Sequence, residues 1–433
     1  MSRYSYFNKY TKNTFFKNFL TLFTGSVIGQ TIVLLSIPIL TRLFTEEVFG
    51  IYAIYASIVI LLKTLATLCY ELAIVLPKRD KDAINLFVFS LLIVFLFSMS
   101  LFTLIALFHD DIISVLKIEK ISFFIYFVPL SVFFLGNISA LDYWNNRTDL
   151  FKNISIGTVS RSITMSATQI LTGFSLFNSI GLVPGMILGQ FVNFVVIAKL
   201  AFKRLKKDAK YISIKRMLFL AKKYSDIPLF NTILTFTNTL SNELPVILIT
   251  RYFGLESAGV YGLAVKVLKA PPGIVGQPIS QVFFNKASKV YNSDGDLFQL
   301  IKKTYKNLFI TSLVIFIPLF LVSYFLDFIF GENWTDVGSY VRILIPWLFV
   351  MFLNSPISPI IAILNKQKTI LVYNILLLTS RFLALYLGYT LYNDIIISLL
   401  FFSGVGVFFN LLILIYFLKI AKDSVHQKER VYK

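Results

Sequence analysis

Apolar residues run along this chain in blocks of about twenty, separated by short polar stretches rich in Lys and Arg. Blocks fall near 19–41, 49–70, 84–108, 121–141, 154–177 and 180–200, and again near 228–250, 257–281, 307–330, 341–364, 369–391 and 395–418. Each is long enough to cross a hydrocarbon core about 30 Å thick as a helix. The pattern predicts an all-α polytopic membrane protein of about twelve transmembrane helices. Composition agrees: 57% of the 433 residues are hydrophobic and 15% charged, against roughly 25% charged in soluble domains. Mean hydropathy is +0.76.

A net charge of +19 would point to nucleic acid if the basic residues shared a globular face, but they sit between the apolar blocks. With the amino terminus inside, 31 Lys and Arg fall in the inner loops and tails and four, Arg42, Lys117, Lys120 and Arg251, fall outside. Lys and Arg gather on the cytoplasmic side of membrane proteins, so this asymmetry predicts both termini in the cytoplasm and no nucleic-acid partner. The first residues carry no small-residue cleavage site after the first apolar block, so no removable signal peptide is expected. One cysteine, Cys69, permits no internal disulfide, and two histidines leave little for a metal.

The longest connection, 201–227, divides the chain into a six-helix half at 1–200 and another at 228–418, with a tail at 419–433. The halves share a motif. Thr41-Arg42-x-Phe44-x-x-Glu47-x-x-Gly50-x-Tyr52 returns as Thr250-Arg251-x-Phe253-x-x-Glu256-x-x-Gly259-x-Tyr261, offset by 209 residues throughout. Six helices per half is an even number, so the halves share one orientation, as parallel repeats do. A local structural reading of the motif accompanies this one: the glycines permit a tight helix start, and the carboxylates suit the first-turn dipole.

Several stretches together resemble a known family. These are Gly25 to Pro77, Lys222-Lys223-Tyr224-Ser225-Asp226-Ile227-Pro228, Leu244-Pro245, Tyr252-Phe253-Gly254, Ala258-Gly259-Val260-Tyr261, Phe330-Gly331-Glu332-Asn333-Trp334 and Ser355-Pro356-Ile357-Ser358-Pro359. In this order they resemble the polysaccharide transport branch of the multidrug/oligosaccharidyl-lipid/polysaccharide exporter superfamily. The resemblance implies a MATE-like pair of six-helix halves. It also implies a Wzx-type flippase of the cytoplasmic (inner) membrane, moving an undecaprenyl-pyrophosphate-linked oligosaccharide for O-antigen or capsule assembly. A polymerase and chain-length proteins of the same pathway are its implied partners.

Five cations lie within predicted spans: Lys63, Arg161, Lys266, Lys269 and Arg381. Each would cost about 3 kcal/mol facing lipid, so they are expected to face a water-filled cavity, backbone carbonyls or one another. Glu71 and Glu243 are the acids that match them, with Asp142 near a span end. A surplus of positive charge suits an anionic ligand such as a pyrophosphate. Asn231, Thr235, Asn238 and Asn242 repeat along one helix face, and Asn374 lies seven residues before Arg381. These amides are candidate sugar contacts, or else interhelical hydrogen bonds. Pro271-Pro272-Gly273, just after Lys269, predicts a kinked or broken helix.

Nothing in the chain reads as catalytic: there is no GxxxxGK[ST] loop and no HExxH, and no cofactor or metal site is expected. The driving force is left open between a proton or sodium gradient, with Glu71 and Glu243 as coupling candidates, and substrate supply or downstream polymerisation. Two rival readings are a multidrug exporter of the same superfamily, whose cavity should be acidic, and a membrane-embedded polysaccharide polymerase or ligase. The latter would need a large outer loop, and none here exceeds roughly a dozen residues.

Overall fold

A computed structural model describes residues 2–116, 119–175, 181–293 and 295–431. Lys117, Lys433 and the predicted span boundary at 177–180 lie outside them. The described chain is helical: α1 (Ser2–Leu43), α2 (Glu46–Thr67), α3 (Asp80–Leu107), α4 (His109–Leu116), α5 (Ser122–Ile125), α6 (Val128–Arg147), α7 (Phe151–Gly173) and α8 (Leu182–Asp208). Then follow α9 (Ile214–Lys223), α10 (Asp226–Asn292), α11 (Leu297–Val322), α12 (Leu326–Phe330), α13 (Thr335–Asn354), α14 (Ile360–Ile363), α15 (Gln367–Tyr392) and α16 (Ile395–Val431).

Among the described residues, eight helical segments are long and apolar enough to cross a membrane. There are nine if the pair Glu119–Ile125 and Val128–Arg147, bent by 54°, is one span. The other three predicted spans coincide with α7 and the two arms of α10, which are long enough but too polar to pass on composition. These are the helices that carry Arg161, Asn231, Asn238, Asn242, Glu243, Lys266 and Lys269. A helix of that polarity is stable in a bilayer only where neighbours or water cover its polar side.

The long α10 bends at Gly254, where φ is 89° and ψ 176°. Its dihedrals stay helical through Pro271-Pro272-Gly273, so the break expected there is absent. The ring fixes φ near a helical value, so a proline inside a helix costs a hydrogen bond without forcing a turn. A break does occur on the other arm of the repeat. Leu68 and Cys69 hold φ of 45° and 53°, ending α2 before a 3₁₀ turn at Tyr70–Val75.

The chain forms two compact units, Met1–Phe44 with Ile54–Thr239, and Thr45–Ala53 with Leu240–Lys433. The division falls inside α2 and α10, and the 201–227 connection belongs wholly to the first unit. In that unit α7 packs between α1 and α8, and small residues allow the close approach. A Cβ on Gly25 would collide with Ser155, and one on Gly157 with Asn193 and Ile197. Asn153 then donates to the Ile197 carbonyl at 2.9 Å, and Gln169 to that of Leu182 at 2.9 Å. Beside them Phe87 stacks on Trp144 at 4.9 Å within a core shared by α3, α6, α8 and α9.

One end of this unit is tied by polar contacts. Arg147 pairs with Asp80 at 2.9 Å and Arg216 with Asp82 at 2.8 Å. Buried Asn85 donates to the Tyr211 carbonyl at 2.8 Å and accepts from the Ser213 amide at 2.9 Å. Residues 78–82, 147 and 211–216 therefore share one end, three of the basic connections that the charge count puts on one side.

The second unit is organised by the repeated motif. A Cβ on Gly50 would collide with the carbonyl of Leu255, and a Cβ on Gly259 with the carbonyl of Glu46. These contacts are reciprocal, since the 209-residue offset carries 46 onto 255 and 50 onto 259. The two copies cross through their glycines as equivalent halves of one contact. Small residues permit such close backbone approach in membranes. Phe49 packs edge-on against Trp334 at 4.8 Å beside it.

Gly50→Ala and Gly259→Ala should each cost about 1–3 kcal/mol by overpacking, read as a lower melting midpoint of the detergent-extracted protein. The double variant should cost less than the two added together, because either methyl alone already separates the crossing. Unchanged midpoints in both single variants would show that the crossing is loose.

Candidate functional site

The five intramembrane cations separate into two neighbourhoods. Lys63 and Arg161 belong to the first unit; Lys266, Lys269 and Arg381 belong to the second.

In the first unit the strained end of α2 sets the geometry. Two successive left-handed residues without glycine cost roughly 1–2 kcal/mol each, so the turn must be held by its surroundings. Leu72 donates to the Cys69 carbonyl at 3.1 Å, and the Tyr70 hydroxyl donates to the Ala221 carbonyl at 3.2 Å. The Cys69 thiol points to the Thr235 hydroxyl at 3.9 Å, joining the turn to the first arm of α10. The turn buries Glu71, whose Oε2 has no hydrogen-bond partner. Half-buried Lys63 acts electrostatically on Cys69 together with Glu71. On α6, Asp142 lies in the field of Arg161 and Lys63, and Tyr143 in that of Glu71 and Asp142. Arg161 is half-buried with an unpartnered Nε. Two cations thus share this neighbourhood with two carboxylates, and the charges offset.

Between α1 and α7 the same unit opens a cavity of about 650 Å³, bordered by Thr21, Thr24, Lys152, Ser155 and Ser160 among apolar residues. None of the predicted site residues lines it.

In the second unit Arg381 is 2% exposed. Its Nη1 donates to the Ser241 carbonyl at 3.0 Å and lies 2.9 Å from the Ser241 hydroxyl. Its guanidinium sits 4.7 Å from the ring of Trp347 and 5.1 Å from that of Phe402. The fork thus lies against two rings that themselves meet edge to face, an arrangement a lysine could not reproduce. Lys269 is half-buried in the field of Glu243 and Arg381, and buried Tyr261 lies in the same field. Half-buried Lys266 stands 5.5 Å from the ring of Tyr52. Lys269 and Arg381 thus share the field of Glu243, and Lys266 lies one turn before Lys269 on α10.

The amide stripe divides between the units. Asn231 donates to the Ile227 carbonyl one turn back at 3.1 Å and Asn238 is exposed, both in the first unit; Asn242 is half-buried in the second. Asn374 is buried at 8% exposure on α15, two turns before Arg381. Sequence reasoning missed Ser241, Trp347 and Phe402, which hold Arg381. They come from three separate helices, and Trp347 in mid-span reads as ordinary core. Tyr143 was missed for the same reason, although its neighbour Asp142 was noted.

The family model described as polysaccharide biosynthesis protein matches residues 39–339. A search of curated protein sequences gives no match. Among solved structures, the lipid II flippase MurJ in an inward closed conformation superposes with a TM-score of 0.73 at 15% identity, covering 96% of this chain and 92% of that one. An inward-facing multidrug resistance MATE family transporter of the MOP superfamily gives 0.67 at 14% identity, over 91% and 95% of the two chains. A MOP superfamily transporter from Pyrococcus furiosus Vc1 (DSM3638), for which reversed polarity of the binding pocket is said to suggest a different function, gives 0.56 at 12%, over 94% and 96%. At these identities the likeness is one of fold, and it fits the two parallel six-helix halves expected from the repeat. By the span of the family match, this multi-pass membrane protein belongs to the polysaccharide biosynthesis protein family.

Proposed function

We propose that the protein is a flippase for an undecaprenyl-pyrophosphate-linked oligosaccharide, carrying the repeat unit to the outer leaflet of the cytoplasmic membrane by alternating access. It does so without catalysis, with both termini in the cytoplasm. One observation carries the reading: within the second unit Lys269 and Arg381 share the field of one carboxylate, Glu243, and Lys266 lies one turn before Lys269 on the same helix. Cations in a bilayer are costly unless something compensates them, and a pyrophosphate would supply the missing negative charge. In the first unit the charges already offset, so the excess is specific to the second. A cation exporter would need the opposite excess. For the Pyrococcus furiosus transporter, pocket polarity is likewise said to bear on function.

The roles of the three cations differ. Lys266 and Lys269 are half-buried, with mobile ammonium groups that can follow a moving anion. Arg381 is engaged by Ser241 and covered by rings, so it contributes field and positions Ser241 without touching substrate in this conformation. Asn231, Asn238, Asn242 and Asn374 would meet sugar hydroxyls or hold helices together. MurJ is named as a flippase of lipid II, and membership of a polysaccharide biosynthesis family supports a lipid-linked sugar as cargo. A polymerase and chain-length proteins would be the partners that consume the product.

In proteoliposomes carrying a fluorescent undecaprenyl-pyrophosphate oligosaccharide, Lys269→Gln should slow translocation about tenfold or more, the loss of one charge-assisted contact. Lys269→Arg should retain most of the rate. Wild-type protein that exports a cationic dye while leaving the labelled lipid unmoved would replace this reading with the multidrug one. Arg381→Lys should reduce both rate and melting midpoint, since it removes the stacked fork from a packed site.

Coupling is proposed to reside in Glu71 or Glu243. Buried intramembrane carboxylates relay ions in many transporters, and Glu71 sits in a strained turn with an oxygen lacking a partner. If so, an imposed proton or sodium gradient accelerates translocation in wild-type vesicles, and Glu71→Gln or Glu243→Gln abolishes that acceleration. Rates insensitive to every gradient in wild-type protein would assign the driving force to substrate supply or polymerisation.

A further inference from the structure

The connection 201–227 contains α9, and its side chains do not divide as a solvated helix would divide them. Met217, Leu220 and Ala221 are buried, and Leu220 joins the core with α3, α6 and α8. Beside this rooted stripe, Ile214 is 74% exposed and Leu218 59% exposed. At about 100° per residue these two lie within roughly 40° of each other and adjoin Ala221. Lys215 and Lys222, both exposed, lie together on the other side of the pair from Ala221, about 80–100° from Ile214.

The helix cannot roll these residues away. Arg216, on the far side, grips Asp82 through two bonds of 2.8 and 3.0 Å. The hydrogen bonds from Arg216 hold the Asp82 carboxyl below the usual carboxylate range, so both partners stay charged at physiological pH. Asn85 clamps the backbone just before α9 through Tyr211 and Ser213, and the Tyr70 hydroxyl holds the Ala221 carbonyl. Both acidic and amide anchors belong to the first turns of α3, the end of a spanning helix. The exposed apolar pair is therefore fixed at the level where hydrocarbon gives way to headgroups. Lys210 adds a further cation there, over the ring of Tyr211 at 5.1 Å.

We infer that α9 is a fixed interfacial helix: Ile214 and Leu218 enter the leaflet on the side of this connection, and Lys215 and Lys222 hold the phosphates of anionic phospholipids. Apolar residues flanked by lysines on a surface helix match the chemistry of such a boundary, and juxtamembrane lysines attract anionic lipid. A peptide or protein partner would need acidic groups beside its own apolar patch. The bilayer already lies at this level and supplies both. The inference stands apart from the cargo, since it concerns no residue of the cation neighbourhoods.

The test uses full-length protein in a Cys69→Ala background, reconstituted in vesicles. An environment-sensitive fluorophore is attached at Leu218→Cys or, as an aqueous reference, at exposed Ser293→Cys. Brominated acyl chains should quench the Leu218 probe and spare the Ser293 probe, while aqueous iodide does the reverse. Separately, Lys215→Gln with Lys222→Gln should lower the phosphatidylglycerol retained from mixed phosphatidylglycerol and phosphatidylcholine vesicles roughly tenfold at this site, with phosphatidylcholine unchanged. These lysines are exposed and outside the buried stripe, so the variant keeps its fold. Equal iodide quenching at both probes would overturn the seating in the leaflet. Undiminished phosphatidylglycerol in the double variant would overturn the headgroup assignment.

Discussion

Hydrocarbon offers a peptide group no hydrogen-bond partner and a charge no solvent, and both consequences shape this molecule. The first forces the chain into helices throughout. The second decides which helices face inward. α7 and both arms of α10 carry lysines, two arginines and runs of asparagine, serine and threonine, so they need protein or water on their polar sides. The apolar helices α3, α11, α15 and α16 bear outward residues such as Leu96, Val314, Leu376 and Ile415, each more than half exposed. These can meet lipid without penalty. Positioning of the cations is thus a by-product of solvation before it is anything chemical.

Within that arrangement, the glycine crossing of the second unit explains why the duplicated motif keeps its residues. Gly50 and Gly259 meet the carbonyls of Leu255 and Glu46 as mutual counterparts. A contact of this kind constrains both copies together, because a side chain on either one disturbs the same approach. Aromatic residues in and beside the motif pack around it, Phe49 against Trp334 and the motif's Tyr52 beneath Lys266. The crossing therefore reaches the cation neighbourhood in one step, through Tyr52.

Much of the fold was legible because membrane helices announce themselves by length and hydropathy, and loops by charge. The repeat was legible because identities at a fixed offset survive where overall similarity does not. What the sequence concealed depends on tertiary detail. The left-handed pair Leu68 and Cys69 carries no glycine, so nothing in its composition marks a turn. Pro271 and Pro272 looked like a break and are accommodated by a helix whose φ they already satisfy. The cradle of Arg381 is assembled from α10, α13 and α16, and contacts between residues 140 positions apart leave no local pattern. The face of α9 that stays exposed was hidden too, since periodicity shows that an apolar stripe exists without showing how much of it the core covers.

The distribution of charge between the units discriminates further than the total does. Counted over the whole chain, five cations against two or three acids could serve any anion. Resolved by unit, Lys63 and Arg161 share their surroundings with Glu71 and Asp142, and that group is close to neutral. Buried groups of opposite sign placed this way offset one another, and removing one leaves its partner uncompensated. In the second unit Lys269 and Arg381 share the field of Glu243, with Lys266 one turn away, and positive charge is in excess among these four. A transporter needs one region that holds cargo and another whose state can change with it. In the proposed reading those two requirements fall on different sets of residues, the lysines of the second unit and the carboxylates near Lys63. Without an anion beside them Lys266, Lys269 and Arg381 would repel one another, a cost that rises wherever water is excluded.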